Sequence, residues 1–500
     1  MSRSRKQNIL FFSLKALNAR AEKVIDHRYN SKVTSTKFHG ERCFTFASED
    51  PTKHSNKIMT IATMGSSRSK ADAYVGGKDI EDVHCIFLIN YKTGIVVVQD
   101  ESPGRTRVYE NAHLSSNISN MSGATRSRAV IMEGVNTVLS LGSLDDPVRF
   151  EILWNLDYDR ILEIVQERIS EASQSQLKEL RDFTDQTHWK VVPNPIRHIP
   201  LRELGRGAFG MVMKTADAYS GGVMAVKLLH RPMNQKDPRW IDTLLTARDR
   251  EMFILSKLNH GHIVEYLGSQ GWDTGRVEIF MPMKKGTLCG LIRRNPSYDS
   301  SQKYGKIVLV QMLSALDYLA ANKLIHRDIK PDNILYDVAT KSDGEERPIF
   351  QLADFGLSAL QGLARSQAGT TIFMAPEVYD GTKAQTPRAD IWSLYVTLLW
   401  VHNEDTFRHR VETGRLHRQA DVRRAVLDIA SKSKDLRFMR GMAIYDPALR
   451  ASAAQVLKGL KREDLMTHAD AAPANSFSQW MADVKAGKSK YSPYLTKILE

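Results

Sequence analysis

The stretch His326-Arg-Asp-Ile-Lys-Pro-Asp-Asn333 is the segment around which this chain of 500 residues is organised. Apolar residues lead into it up to Ile325, which predicts the end of a helix, and Ile334-Leu-Tyr336 predicts a strand directly after it. One short loop thus presents carboxylates, an ammonium group and an amide. Transfer of a phosphoryl group from Mg-ATP to a hydroxyl requires a carboxylate to accept the proton, a cation near the moving charge and an amide oxygen on the metal. An ordinary polar turn could hold the same residue types, so partner motifs elsewhere in the chain must decide between the two interpretations.

The composition is that of a globular protein, with 42% hydrophobic and 25% charged residues, and the length favours about three domains. No apolar run is long enough to span a bilayer, and no secretory signal is present. Cys43, Cys85 and Cys289 are far apart and lack metal-ligand spacing, which favours a reducing compartment over a disulfide framework or a zinc site. We therefore expect an intracellular protein of the nucleus or cytoplasm with no membrane span.

The formal charge of +13 is concentrated at the start of the chain, because residues 1–40 hold nine Lys or Arg against two acids. This composition predicts a basic, partly disordered segment ahead of the folded domains. Two alternatives stay open. An anionic partner such as nucleic acid or lipid is less favoured than a solvated tail, and residues 9–17 also have the apolar, cation-flanked character of a mitochondrial presequence.

Residues 41–155 predict an all-β sandwich, because short β-branched or aromatic runs alternate with Gly, Asn, Asp and Ser. The clearest runs are Ile58-Met-Thr-Ile-Ala62, Cys85-Ile-Phe-Leu-Ile89, Ile95-Val-Val-Val98 and Val148-Arg-Phe-Glu-Ile-Leu153. Residues 156–198 then predict a helical linker, with apolar side chains at Ile161, Leu162, Val165 and Ile169, which ends in a proline-containing boundary.

Within the β-rich region, Val83-His-Cys85 and Asp100-Glu-Ser-Pro-Gly-Arg-Thr106 resemble the core of a forkhead-associated domain. This resemblance implies a β-sandwich whose loops bind phosphothreonine peptides, with Arg68 as the phosphate-binding arginine. The family usually has Ser-Arg where this chain has Glu81-Asp82, and two carboxylates there would repel a phosphate. We therefore expect weak phosphopeptide binding, and the alternative is a sandwich that serves only to dock another protein.

A glycine-rich segment, Gly205-Arg-Gly-Ala-Phe-Gly-Met-Val212, lies between two strand-like runs near the start of the next domain. Glycines let backbone N–H groups approach phosphate oxygens. The residues after Val212 continue as a strand, which argues against a dinucleotide-binding fold. Met224-Ala225-Val-Lys227 follows and ends an apolar strand with a cation suited to phosphate contact.

Residues 199–465 resemble a eukaryotic protein kinase over the whole domain, because four further motifs follow in the family's order. These are Leu352-Ala-Asp-Phe-Gly356, Met374-Ala-Pro-Glu377, Asp390-Ile-Trp-Ser393 and Asp446-Pro-Ala-Leu-Arg450. The resemblance implies an α+β bilobal fold with ATP and Mg²⁺ between the lobes. It also implies that Glu377 and Arg450 form a structural ion pair and that Asp390 supports the catalytic loop. Residues 466–500 are expected to be a C-terminal tail.

The resemblance assigns a role to individual residues. Asp328 is the expected catalytic base, Lys330 the cation at the γ-phosphate, and Asn333 with Asp354 the magnesium ligands. The remaining nucleotide-binding residues expected from the family are Gly205, Gly207, Gly210, Val212, Ala225, Lys227, Glu251, Met281 and Met283. Ser366 is the expected site of activating phosphorylation.

The Asp-x-Lys order in the loop and Gly369-Thr370 resemble serine/threonine kinases, and a forkhead-associated-like domain ahead of a kinase resembles the checkpoint-kinase group. We therefore expect a serine/threonine kinase that acts on protein substrates. A pseudokinase scaffold and a small-molecule phosphotransferase are the alternatives; the second should lack the Ala-Pro-Glu and Asp390 motifs. No feature of the sequence indicates an oligomeric state.

Overall fold

The computed structural model describes residues 9–38, 40–48, 60–109, 128–171, 196–207, 210–229, 257–272, 276–340, 346–354, 370–381, 385–434, 436–467, 473–492 and 495. The chain forms two compact units. The first comprises residues 1–202 and 214–224, and the second comprises residues 203–213 and 225–500. Among the described helices, none combines the length and the apolar character needed to cross a membrane.

In the part of the chain that the structure describes, the first unit contains two β-sheets and two α-helices. Its strands are β1 (Ile9–Ala16), β2 (Thr34–Phe38), β3 (Glu41–Ser48), β4 (Thr60–Gly65), β5 (Ala73–Tyr74), β6 (Cys85–Ile89), β7 (Val96–Asp100), β8 (Thr106–Tyr109), β9 (Arg128–Ile131), β10 (Val138–Leu141) and β11 (Val148–Trp154). The sheet orders are β2-β3-β1-β11-β10-β8 and β5-β4-β6-β7-β9. Helix α1 (Ala19–Ile25) follows β1, and helix α2 (Tyr158–Glu171) follows β11.

The two sheets share one apolar core. The ring of Phe12 on β1 is fully buried and lies 5.7 Å from Trp154 of its own sheet and 5.0 Å from Phe87 of the other sheet, between ring centroids. Helix α2 adds Ile161 and Val165 to the same core. The prediction of a β-rich N-terminal region is therefore confirmed, and the predicted linker helix packs on the sheets that precede it.

The predicted boundary at residue 41 is wrong, because the first forty residues supply two strands of the six-stranded sheet. Strand β1 pairs with both β3 and β11, which makes it an inner strand. Its one cation has a partner within the fold, because the Lys15 ammonium lies 2.5 Å from the Glu41 carboxylate. The sequence-based prediction gave too much weight to the basic composition of residues 1–40 and too little to Phe11, Phe12 and Leu14, which are all buried.

A tight turn at residues 217–222 belongs to this first unit. The Asn90 side-chain amide donates to the Ser220 carbonyl oxygen at 3.1 Å, and the Thr93 hydroxyl donates to the Gly221 carbonyl oxygen at 2.8 Å. Gly221 has φ +67°, and a Cβ atom there would lie 3.1 Å from a methyl carbon of Ile95. Glycine is required at this position for both its conformation and its close packing.

The other strands that the structure describes form a five-stranded sheet and a three-stranded sheet. They are β12 (His198–Gly207), β13 (Gly210–Asp217), β14 (Val223–Leu229), β15 (Gly268–Gln270), β16 (Val277–Pro282), β17 (Gly286–Thr287), β18 (Ile334–Thr340) and β19 (Glu346–Leu352). The orders are β12-β13-β14-β16-β15 and β17-β18-β19. In the three-stranded sheet all strands pair antiparallel, and β18 and β19 pair from Ile334↔Leu352 to Thr340↔Glu346.

The described α-helices of the second unit are α3 (Leu288–Arg294), α4 (Tyr298–Ala321), α5 (Pro376–Tyr379), α6 (Arg388–His402), α7 (Phe407–Glu412), α8 (Gln419–Lys432), α9 (Ala453–Gly459) and α10 (Phe477–Lys485). Helix α6 is buried on every side from Ala389 to His402, so it forms the centre of the helical region. A sheet-rich part followed by a helical part agrees with the predicted α+β architecture.

Residues beyond 465, which were expected to be a tail, extend this core. Phe477, Trp480 and Val484 of α10 are each at most 5% exposed, and Leu495 is fully buried. These side chains belong to the same apolar cluster as α4 and α6. The folded domain therefore continues past the predicted end.

Replacement of Phe12 by Ala should lower the free energy of unfolding of the sandwich by about 3–5 kcal/mol, because a buried ring leaves a cavity. Leu17→Ala is the matched control, since Leu17 is 39% exposed and its truncation should change stability by about 0.5 kcal/mol or less. Urea unfolding of the full chain measures both. Equal effects of the two variants would contradict the placement of β1 inside the sheet.

Candidate active site

The pairing of β18 with β19 brings two polar segments side by side. Asn333 ends the loop before β18, and Asp354 follows β19. The backbone N–H of Ala353 donates to the Asn333 carbonyl oxygen at 2.9 Å, which continues the strand pairing by one residue. Because of this register, the loop 326–333 and the residues after Leu352 face the same region of the second unit.

The loop is held by a carboxylate from helix α6. Asp390 is 2% exposed, and its two carboxylate oxygens accept hydrogen bonds from the backbone N–H groups of His326 at 2.7 Å and Arg327 at 2.8 Å. Burial raises the pKa of Asp390 against the opposing effects of the His326 charge and these two hydrogen bonds. The expected support of the loop by Asp390 is confirmed.

Two side chains of the loop converge on the carboxylate of a third loop residue, Asp328. The Lys330 ammonium lies 2.7 Å from one carboxylate oxygen of Asp328, and the Asn333 amide donates to the same oxygen at 2.9 Å and to the Asp328 carbonyl oxygen at 2.8 Å. Asp328 is only 9% exposed. A carboxylate held in this way has a fixed orientation and can accept a proton from a hydroxyl that approaches it.

Asp354 forms an ion pair with Lys227 of β14. Desolvation raises the pKa of the Asp354 carboxyl, but the charge and hydrogen bond of Lys227, together with the charges of His326 and Lys330, outweigh this effect, and the net pKa is lowered. Asp354 also has φ +64°, a conformation that non-glycine residues rarely adopt and that is common at functional sites. The carboxylate is therefore ionised at neutral pH and can bind a cation.

The glycine-rich segment lies on β12 and β13. Gly210 has φ +146°, and a Cβ atom there would lie 1.8 Å from the Leu228 carbonyl oxygen, so only glycine fits. A Cβ atom at Gly205 would meet no heavy atom within 4 Å, so its backbone is open to a ligand. Gly207 ends β12, and Val212 lies on β13.

The other predicted nucleotide contacts are distributed over the neighbouring strands. Ala225 is buried on β14, and Met281 and Met283 are partly buried at the end of β16 and just after it. Glu251 and Ser366 lie outside the described residues. Oxygen donors from Asn333 and Asp354 are of the type that Mg²⁺ prefers, and Lys227 is suited to phosphate.

The predicted ion pair between Glu377 and Arg450 is confirmed. The guanidinium donates to the two carboxylate oxygens at 2.7 and 3.0 Å, and the side chains are 3% and 0% exposed. A second pair was not predicted: Arg423 of α8 donates to Asp380 at 2.8 Å. Arg423 comes from a polar, basic stretch of sequence in which no motif distinguishes it from its neighbours.

The sequence profile described as "Protein kinase domain" matches residues 199–459, which is more than half of the chain. The chain therefore belongs to the protein kinase family. This match covers the loop 326–333, Asp354 and the Glu377–Arg450 pair.

Several curated proteins are similar to this chain. Serine/threonine-protein kinase 10-A of Xenopus laevis is 32% identical over 302 residues, which are 58% of this chain and 30% of that protein. Mitogen-activated protein kinase kinase kinase 1a of Physcomitrium patens is 36% identical over 205 residues, 40% of this chain and 25% of that protein. Serine/threonine-protein kinase sid1 of Schizosaccharomyces pombe is 33% identical over 208 residues, 41% of this chain and 40% of that protein. The similarity thus spans well under half the length of these relatives.

Replacement of Arg450 by Met should destabilise the second unit by about 3–5 kcal/mol, because Glu377 would be left as a buried, unpaired charge. Arg462→Met is the control: Arg462 pairs with Asp464 at 2.8 Å at an exposed position, where such a pair contributes about 0–1 kcal/mol. Denaturant unfolding of both variants provides the measurement. A loss at Arg450 no larger than at Arg462 would contradict a structural role for the buried pair.

Proposed function

We propose that the chain is an ATP- and Mg²⁺-dependent protein kinase that phosphorylates serine and threonine hydroxyls of protein substrates. The observation that carries this proposal is the convergence of Lys330 and Asn333 on the Asp328 carboxylate, in the same unit as the Lys227–Asp354 pair. Membership of the protein kinase family and the names of the similar proteins support it.

In the proposed reaction, the oxygen of the substrate hydroxyl would attack the γ-phosphorus of ATP while Asp328 accepts the hydroxyl proton. The bond between the γ-phosphorus and the β–γ bridging oxygen would break, and ADP would leave. The hydrogen bonds from Lys330 and Asn333 hold the carboxylate in place before the substrate arrives, so little reorganisation accompanies the reaction. Lys330 also offsets negative charge that develops beside the base. Mg-ATP, when bound, supplies the phosphoryl group and its metal screens the phosphate charges.

The nucleotide would be held by residues of several strands. We assign Asn333 and Asp354 to magnesium, Lys227 to the α- and β-phosphates, and the backbone N–H groups of the glycine-rich segment to phosphate oxygens. The apolar walls for the adenine would come from Val212, Ala225, Met281 and Met283. We keep for Glu251 and Ser366 the roles expected from the sequence, pairing with Lys227 and activating phosphorylation.

Asp328→Asn should lower the turnover of a generic protein substrate with radiolabelled ATP by about 10²–10⁴-fold, because the amide cannot accept the proton. ATP binding, measured by calorimetry, should persist. Asp332→Asn is the matched control, since Asp332 lies in the same loop but is exposed. Turnover by Asp328→Asn at the parent's rate would refute the assigned base, and a parent protein without any phosphoryl transfer would favour a scaffold.

We further propose that the N-terminal sandwich is a forkhead-associated-like module and that the protein acts in intracellular signalling of the checkpoint-kinase type, in the nucleus or cytoplasm. Support comes from the two-sheet architecture and from Arg68, which is exposed and stacks 4.0 Å over the Tyr29 ring. Asp82 pairs with Lys70 at 2.8 Å, and Glu81 lies 3.4 Å from Arg105. Lys70 and Arg105 reduce the repulsion between these carboxylates and a phosphate. Because each cation is already paired with a carboxylate, it attracts a phosphate less strongly than an unpaired cation would.

We therefore expect phosphothreonine peptides to bind this module with dissociation constants weaker than about micromolar, a free energy of about −8 kcal/mol. A phosphothreonine peptide library tested by fluorescence anisotropy measures this, with the unphosphorylated peptides as controls. Any residual phosphate-dependent binding should disappear in Arg68→Ala. A tight, phosphate-dependent peptide would contradict the expected weakness and indicate ordinary forkhead-associated binding.

A further inference from the structure

The part of the chain after residue 465 is anchored to the second unit at two places. At its start, the Thr467 backbone N–H donates to the buried carboxylate of Asp317 on α4 at 2.7 Å. Helix α10 then buries Phe477 and Trp480 in the large core. Anchored in this way, the segment presents Lys490 and Tyr491 to one particular loop.

That loop is residues 444–450, and the contact combines charge and aromatic packing. The Lys490 ammonium lies 2.9 Å from the Asp446 carboxylate, which is only 7% exposed. The Tyr491 ring packs edge-on against the Tyr445 ring with centroids 5.2 Å apart. Lys490 itself is 61% exposed, so the restriction of the loop comes from the buried Asp446 carboxylate and the ring contact together.

Tyr445 connects this contact to two guanidinium groups. Its carbonyl oxygen accepts a hydrogen bond from Arg450 at 3.0 Å, and its hydroxyl accepts one from Arg423 at 3.1 Å. Arg450 holds Glu377 within α5, and Arg423 holds Asp380 directly after α5. A displacement of Tyr445 would therefore move both guanidinium groups, and with them the hydrogen bonds to Glu377 and Asp380 that hold this short helix.

The same loop also supports the start of α6. Arg388 donates to the carbonyl oxygens of Ala448 at 2.7 Å and Arg450 at 2.5 Å, and Arg450 donates back to the Arg388 carbonyl oxygen at 2.9 Å. Two residues after Arg388 stands Asp390, which holds the backbone of His326 and Arg327. Hydrogen bonds at Arg388 and at Asp390, which are linked through the first turn of α6, thus join the loop 444–450 to the segment that carries Asp328.

We propose that Lys490 and Tyr491 are positioning residues that hold the loop 444–450 and, through it, helix α5 and the loop 326–333. The C-terminal segment thereby contributes to the geometry of the active site from outside the matched kinase region. The kinetic part of this inference rests on the proposed kinase activity, whereas the structural part does not.

The first test is hydrogen–deuterium exchange of the full chain with Tyr491→Ala and with Lys490→Ala. Both variants should exchange faster in peptides that cover residues 444–450, 376–380 and 326–328, while peptides from the sandwich stay unchanged. Tyr491→Phe retains the ring and should behave as the parent. Lys485→Ala is the control for Lys490, since it removes an exposed lysine of the same segment.

The second test is kinetic. Tyr491→Ala should lower kcat by about 10-fold or more, since a small displacement of catalytic groups has effects of this size, while KM for ATP stays within about twofold. Tyr491→Phe should restore kcat. Faster exchange without measurable turnover in the parent would support the positioning role and refute the proposed function. Unchanged exchange in the three peptides would overturn the inference, as would an equal increase over the whole second unit, which would indicate general destabilisation.

Discussion

The geometry of the candidate active site depends on the hydrogen bonds of the Asp390 carboxylate. A buried carboxylate must have its hydrogen bonds satisfied, and here the donors are the backbone N–H groups of two successive residues, His326 and Arg327. Arg327 has φ +70°, an uncommon conformation for a residue with a side chain. The two hydrogen bonds stabilise this turn, and the turn places Asp328 within reach of Lys330 and Asn333. Helix α6 supplies Asp390 from a fully buried position, so the loop is attached to the most constrained element of the core.

Arg450 follows the same rule with the opposite charge. A guanidinium has five N–H donors, and all five are used: two by Glu377 and one each by the carbonyl oxygens of Ile444, Tyr445 and Arg388. A fully satisfied buried cation links three segments that are distant in sequence. The positions of helix α5, the start of α6 and the loop 444–450 therefore depend on one another. Displacement of any of them would leave a buried donor without its acceptor.

In the first unit, charged groups stabilise the fold at its loops. Asp79 accepts two hydrogen bonds from the Arg20 guanidinium, at 3.1 and 2.7 Å, and one from the Ser143 backbone N–H at 2.7 Å. The Arg20 hydrogen bond holds the pKa of the Asp79 carboxyl well below its ordinary value. Arg20 and Lys15 belong to the basic first forty residues, and both have carboxylate partners within the first unit.

The sequence by itself determined the kinase fold and most of the candidate site, because the loop 326–333 and the motif at Asp354 are short and their side chains act at fixed spacing along the chain. The sequence also indicated the β-rich region, since strands appear as short β-branched or aromatic runs between turn residues. The strand β1 was missed because the high cation content of residues 1–40 outweighed the short apolar run around Phe12. Only the tertiary structure decided that Arg423 binds Asp380 and that Lys490 binds Asp446. These contacts join residues more than 40 positions apart, and the partner of a long charged side chain depends on which elements pack together, which no local pattern encodes.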